Sequence, residues 1–330
     1  MGVKNMLYAV AVTLAFSSAA CRSNECEPRT CGELGFECGR HDDNCGGTLV
    51  CGPCDDDMTC TEDWICVSSG TRLLGRTGHR PLLFSLGGQA TLQHGTEEAA
   101  VEIINRALDL GVNYIDTAAL YGPSQDYIGA VMEARRDEVF LATKSHDYSY
   151  SGTISLFAES LERLRTDHVD LYQHHHVNTD ANLDAILSED GALRAFRELR
   201  DQGSVRHLGI SSHSPRILLR AIEEVDDYDC ALITLNPAGR DMIDREHLDT
   251  FLERAEEMGV AVIAMKLFGR GALLRDGVSA QDLFRYSLSF PVATAVIGIS
   301  ELWQLEENVT MAKEFRRMSE SEMRELEARF

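Results

Sequence analysis

Gly111-Val-Asn-Tyr-Ile-Asp-Thr-Ala-Ala-Leu-Tyr-Gly122 places a short apolar run, Val112 to Ile115, directly before an acid, small residues and a tyrosine. On its N-terminal side Thr96-Glu-Glu carries a capping signature, and Ala100, Ile103, Ile104, Ala107 and Leu108 recur at helical spacing. On the other side a helix is expected near Gln125 to Arg135, then a strand at Val139 to Ala142. Helix, strand, loop, helix, strand, with strands that do not alternate polar and apolar residues, is the pattern of a parallel sheet whose outer face is covered.

The same alternation extends both ways. Pro81 to Leu86 supplies an earlier apolar run. Later strands are expected at Val169 to Tyr172, Val205 to Ile210, Ala231 to Leu235, Ala261 to Met265 and Thr294 to Ile297. Helices are expected at Ile154 to Leu164, up to Arg200, and over Pro215 to Glu224, His247 to Met258, Ala280 to Ser289 and Leu302 to Lys313. Eight repeats in roughly 250 residues predict an α/β fold of the closed (β/α)8 TIM barrel type, here over residues 71–330. An open doubly wound sheet is the rival, but no Gly-x-Gly-x-x-Gly turn follows a first strand. Ser319 to Phe330, with Met323, Leu326 and Phe330 on one face, predicts a closing helix.

Residues 1–70 differ in kind. Nine of the ten cysteines lie between Cys21 and Cys66, and only Cys230 lies beyond. Lys4, the apolar run Met6 to Phe16 and Ser17-Ser18-Ala19-Ala20 predict an export signal over residues 1–20, because the run is shorter than the roughly 20 residues of a spanning helix. Cys21 then sits where a bacterial lipoprotein signal places its lipidated cysteine, although ordinary secretory cleavage before it stays open and Ser18 departs from the usual leucine.

Eight cysteines remain between Glu25 and Val67, an even set suited to four disulfides in a segment with little apolar content. The competing zinc reading rests on Cys51-Gly-Pro-Cys54 and His41. Residues 21–70 are therefore expected to form a disulfide-rich module and linker, hinged at Ser68-Ser69-Gly70. The module loosely resembles small cysteine-rich repeats of exported bacterial proteins, which adds cell-wall or glycan contact as a partner expectation.

The formal charge is −22, with 4 basic and 11 acidic residues up to Gly70 and 27 and 42 beyond it. Such a surface repels phosphate backbones and anionic lipid heads, which argues against nucleic-acid partners and leaves membrane contact to lipidated Cys21 alone. A local basic pocket for a dinucleotide is still compatible with it.

In barrels of this type the working groups stand at the C-terminal ends of strands. Asp116 ends the second strand and Tyr121 follows it, Lys144 ends the third in Val139-Phe-Leu-Ala-Thr-Lys144, and His175 ends the fourth in Val169-Asp-Leu-Tyr-Gln-His-His175. Reduction of a carbonyl requires a proton at oxygen, and Tyr121 is the candidate acid. A phenol with a pKa of about 10 needs a nearby cation, which Lys144 supplies and Asp116 keeps charged. His175 would orient the carbonyl by a hydrogen bond. Taken singly, each of these residues could be structural; together they define a catalytic set. Successive strand residues alternate faces, so His174, His175 and His176 are not expected to share one metal ion. Cys230 is expected to be a packed thiol.

Asp-Thr-Ala-x-x-Tyr-Gly, the strand-end lysine, Asp-Leu-Tyr-Gln-x-His and the hairpin Leu74-Gly-Arg-Thr-Gly78 together resemble the aldo-keto reductase family, over Leu73 to about Phe315. The resemblance implies a barrel plugged by that hairpin, Asp116, Tyr121, Lys144 and His175 as catalytic residues, and NADP or NAD extended across the mouth. The nicotinamide end would meet Ser211, Ser212 and Met265, and the diphosphate would meet Leu267, Gly269, Arg270 and Gly271. The adenosine end would meet Gly298, Ser300, Gln304, Glu307 and Asn308. Leu232 stands for the family's glutamine, and Gly298 and Gln304 stand where 2′-phosphate-binding reductases carry a lysine and an arginine.

The implied activity is nicotinamide-dependent reduction of aldehydes or ketones, in a protein exported and lipid-anchored at the cell envelope. The alternative is a lipid-anchored binding or scaffold protein whose barrel no longer captures cofactor.

Overall fold

The computed structural model describes residues 30–36, 38–43, 45–52, 58–60, 64, 66–68 and 70–330. The expected signal segment and Cys21 lie outside the described residues. Two compact units divide near residue 65.

The smaller unit holds a four-residue helix, Cys31–Leu34, capped by the Thr30 hydroxyl, and an antiparallel pair, Arg40–Asp42 with Thr48–Val50. Disulfides join Cys31 to Cys51 and Cys38 to Cys60, and Cys45 is also disulfide-bonded. Oxidation of Cys51 removes a thiolate from the zinc set that the sequence left open. Cys26 and Cys54 lie outside the described residues, as does the side chain of Cys66.

The larger unit is a closed barrel of eight parallel strands. In chain order they are β1 Phe84–Ala90, β2 Tyr114–Asp116, β3 Phe140–Ser145, β4 Val169–His174, β5 Val205–Ser212, β6 Tyr228–Thr234, β7 Ala261–Met265 and β8 Thr294–Ile299. Besides a single turn at Thr91–His94, the helices are α1 Glu97–Asp109, α2 Ser124–Arg135, α3 Tyr150–Leu164, α4 Asp180–Leu187, α5 Ala192–Asp201, α6 Pro215–Glu224, α7 Leu248–Glu257, α8 Ala280–Leu288, α9 Leu302–Lys313 and α10 Glu320–Glu327. Helix α1 shows why the outer layer forms. The Thr96 hydroxyl accepts the Ala99 N–H at its start, and the predicted stripe Ala100, Ile103, Ile104, Ala107 and Leu108 is buried.

Inside the barrel, Leu74 is fully buried and clusters with Tyr114, Phe140, Leu171, Cys230, Leu232 and Ile263. The hairpin that carries it therefore seals the N-terminal end. Cys230 is a free thiol within this layer, and burial raises its pKa.

Several strands run past their apolar segments. Ladder pairing of Lys144 with Gln173, Ser145 with His174, and Leu232 with Ser211 carries the sheet into polar residues. Strand β1 is displaced to Phe84–Ala90, because Leu82 is used in a bridge to Thr71. At the C-terminus Leu326 is buried with Leu283, Tyr286 and Met318, whereas Phe330, expected on the same face, lies beyond the end of α10 and is 40% exposed.

Candidate active site

The carboxyl ends of β2, β3 and β4 bring four groups together. Lys144 and Asp116 form an ion pair at 1% and 2% side-chain exposure, and the Lys144 ammonium also donates to the Thr117 carbonyl at 2.8 Å. The second Asp116 oxygen accepts from Gln173 Nε2 at 2.9 Å. A buried pair persists only when its remaining polar atoms are satisfied, and Gln173 and the Thr117 carbonyl contribute to that.

Tyr121 lies above this pair, its ring centroid 5.3 Å from Lys144 Nζ and 5.6 Å from the His175 ring, edge to face. Burial raises the phenol pKa, Lys144 opposes that rise, Asp116 adds to it and Arg270 opposes it. The balance is upward, so the phenol holds its proton at neutral pH, with Lys144 the main influence against the rise.

His175 follows β4 directly and donates its backbone N–H to the Ser145 carbonyl at 2.8 Å. Its ring is held neutral, the pKa lowered to about 3 by burial first and by Lys144 second, and Nδ1 has no partner among the described residues. The three consecutive histidines diverge. His174 stacks on Phe196 at 3.8 Å between centroids, His175 turns to Tyr121, and His176, at φ 62°, approaches His213 at 5.2 Å.

Ser211 and Ser212 end β5 and are buried. The Ser211 hydroxyl accepts the His176 N–H at 3.1 Å, and the Ser212 hydroxyl donates to Asn178 Oδ1 at 3.0 Å. Met265 ends β7. In the loop beyond it Leu267 is buried, Arg270 is exposed, and Gly269 and Gly271 have φ of 54° and 84°. A Cβ at Gly269 would lie 2.7 Å from Leu273, so the bare backbone matters there.

Lys266 opens this loop at φ 59°, and its ammonium donates to His213 Nε2 at 3.1 Å. Sequence reasoning missed Lys266, His213 and Asn178 because none sits in an apolar run or quoted motif; the cation next to Met265 was the available signal. Gln173 lies within the Asp-Leu-Tyr-Gln-x-His motif, but its contact with Asp116 depends on the strand register.

At the far rim Gly298 lies on β8 and Ser300 follows it. Gln304 is committed to capping α9, its side-chain carbonyl accepting from the Ser300 and Glu301 N–H groups at 2.9 and 3.3 Å. Glu307 is exposed, and Asn308 is buried on the inner side of α9.

Fold and rim together define a barrel enzyme with its polar groups gathered at one mouth. Residues 83–285 match the Aldo/keto reductase family, and the chain belongs to that family, an oxidoreductase family. YqkF of Bacillus subtilis, an uncharacterized oxidoreductase, is 26% identical over 298 residues, which cover 77% of this chain and 95% of that protein. The holo form of the aldo-keto reductase AKR11C1 from Bacillus halodurans superposes with a TM-score of 0.67 at 23% identity, covering 79% of this chain and 96% of its own. An aldo-keto reductase from Klebsiella pneumoniae, solved in complex with NADPH, superposes with a TM-score of 0.65 at 19% identity, covering 79% and 95%.

Proposed function

We propose that the barrel reduces aldehydes or ketones to alcohols with a nicotinamide dinucleotide, and that Tyr121 delivers the proton to the carbonyl oxygen. The observation that carries this reading is the approach of the Tyr121 ring to both the Lys144 ammonium and the His175 imidazole, beside a buried Lys144 and Asp116 pair. A reduced nicotinamide, when bound, supplies the hydride. Lys144 stabilises the phenolate left when Tyr121 gives up its proton, Asp116 and Gln173 keep the lysine placed, and His175, neutral at working pH, orients the carbonyl without adding charge.

The loop after β7 fits a diphosphate. Arg270 and Lys266 provide charge, and the glycine backbone at Gly269 and Gly271 allows close approach of amides to oxygen. NADPH in the Klebsiella pneumoniae relative is in keeping with this use. At the nicotinamide end the contacts are sparse, because Leu232 has no hydrogen-bonding group and the Ser212 hydroxyl already serves Asn178. Gly298 and the committed Gln304 offer no cation to a 2′-phosphate, so we expect NADH to be accepted about as well as NADPH. Membership of an oxidoreductase family weighs against the alternative of a barrel that binds no cofactor.

Titration of the full chain with NADPH and NADH, followed by nicotinamide fluorescence, tests the cofactor. Tyr121→Phe is expected to bind the nucleotide unchanged and to lower carbonyl reduction by about 100-fold or more; an active Tyr121→Phe enzyme would refute the assignment. We also place the protein at the cell envelope through Cys21, with the glycan contact of the small unit as a further partner. The mass of the mature N-terminus tests the anchor: a chain beginning after Cys21, or with Cys21 unmodified, counts against it. Pull-down of residues 21–70 by insoluble glycan tests the contact, and no retention counts against it.

A further inference from the structure

The cluster around Lys266 plays no part in the proton chemistry above. His213, just beyond β5, lies within hydrogen-bonding distance of the Asp241 carbonyl through Nδ1, at 2.5 Å. Donation from Nδ1 leaves Nε2 with a lone pair, and that atom accepts from Lys266 Nζ at 3.1 Å. The ring is thus fixed in one tautomer and holds the ammonium without neutralising it.

The carboxylate of the same Asp241 stands 3.7 Å from Lys266 Nζ, with side-chain exposures of 36% and 13%. That separation is longer than a direct charge-assisted hydrogen bond. Asp241 holds φ 63°, in the left-handed region, on a loop tied down by Asn236, which accepts the Arg240 N–H at 2.9 Å and donates to the Arg240 and Lys266 carbonyls at 3.0 and 3.3 Å. Lys266 also feels Arg270, a second cation on its own loop. In a protein of formal charge −22, this is a concentration of positive charge served by one loosely held carboxylate.

We propose that Asp241 is a built-in counter-ion for Lys266, and that the diphosphate of a dinucleotide binds by displacing the Asp241 carboxylate. The inference rests on the nicotinamide reading and adds to it a competitor carried by the protein. A diphosphate bears more charge than a carboxylate and presents several oxygens, so it can engage Lys266 and Arg270 together, where Asp241 meets only the first. Affinity is then the difference between two anions at one lysine, and the two partners must respond to substitution in opposite directions.

The test is calorimetric titration of the full chain with ADP-ribose, which has the diphosphate and lacks the nicotinamide, beside AMP, which lacks the diphosphate. Lys266→Met is expected to weaken ADP-ribose about tenfold and leave AMP unchanged, whereas Asp241→Asn is expected to tighten ADP-ribose about threefold. Equal affinities for ADP-ribose in the wild type and both variants would overturn the proposal, as would weaker binding by Asp241→Asn. Should Lys266→Met melt at a much lower temperature than the wild type, Asp241→Asn decides alone. A wild-type chain that binds neither ADP-ribose nor NADPH removes the nicotinamide reading itself, whereas binding insensitive to Asp241 removes only the counter-ion.

Discussion

His174 and His175 are neighbours with opposite surroundings. Both rings are held neutral, their pKa values lowered from 6.5 to about 3 chiefly by burial. His174 faces outward from β4 against Phe196 and Tyr228, and neither of its nitrogens has a partner among the described residues. The unfolded chain, with histidine near pH 6.5, binds more protons than the folded one between about pH 3 and 6.5, so stability falls as pH drops through that window and is flat above it. Each such group contributes a slope approaching about 1.4 kcal/mol per pH unit. His174→Phe is expected to remove one group's share and to flatten the dependence of melting temperature on pH between 6.5 and 4; a slope equal to that of the wild type would refute this. The divergence of the two rings was legible from strand alternation alone, and the closeness of Asp116, Tyr121, Lys144 and His175 at one rim was expected from their places at strand ends. Lys266 and His213 were not, because their meeting depends on a left-handed backbone at 266 and on the fold of a loop.

Helices α2 and α3 meet at Gly129. A Cβ there would lie 2.1 Å from the Arg163 carbonyl oxygen and 3.0 Å from the Leu164 carbonyl carbon. Replacing glycine by alanine inside a helix ordinarily gains about 1 kcal/mol. Here the backbone approach reverses the sign, and Gly129→Ala is expected to cost about 1–3 kcal/mol in denaturant unfolding; a stabilised variant would show that the helices separate freely. The structure gives α6 as Pro215–Glu224, β7 as Ala261–Met265 and α9 as Leu302–Lys313, as expected, although only α6 of the three carries a strong stripe, with Ile217, Leu218, Ala221 and Ile222 buried. Helix α4 was missed because only Leu183 and Ile186 are buried in its eight residues, too little for a period to show. Strand ends were cut short wherever polar site residues continue the ladder, as with Ser145, His174 and Ser212.

For the molecule as a whole, the change in composition near residue 70 marks a change in how stability is obtained. Cys31 with Cys51 and Cys38 with Cys60 close segments of 20 and 22 residues, each worth about 3 kcal/mol through the unfolded state. The described residues from Gly70 onward contain Cys230 as a buried free thiol and rest on apolar packing. Treatment with dithiothreitol is therefore expected to unfold the small unit and leave the barrel's melting temperature within about 1 °C, checked by calorimetry with and without reductant; a large shift of the barrel transition would contradict it. Closure by the Leu74 hairpin has a further consequence. With the base covered and the axis filled by side chains, only the opposite face, where β2, β3 and β4 end, is left for chemistry, so loops there can change while the plugged end keeps the barrel standing.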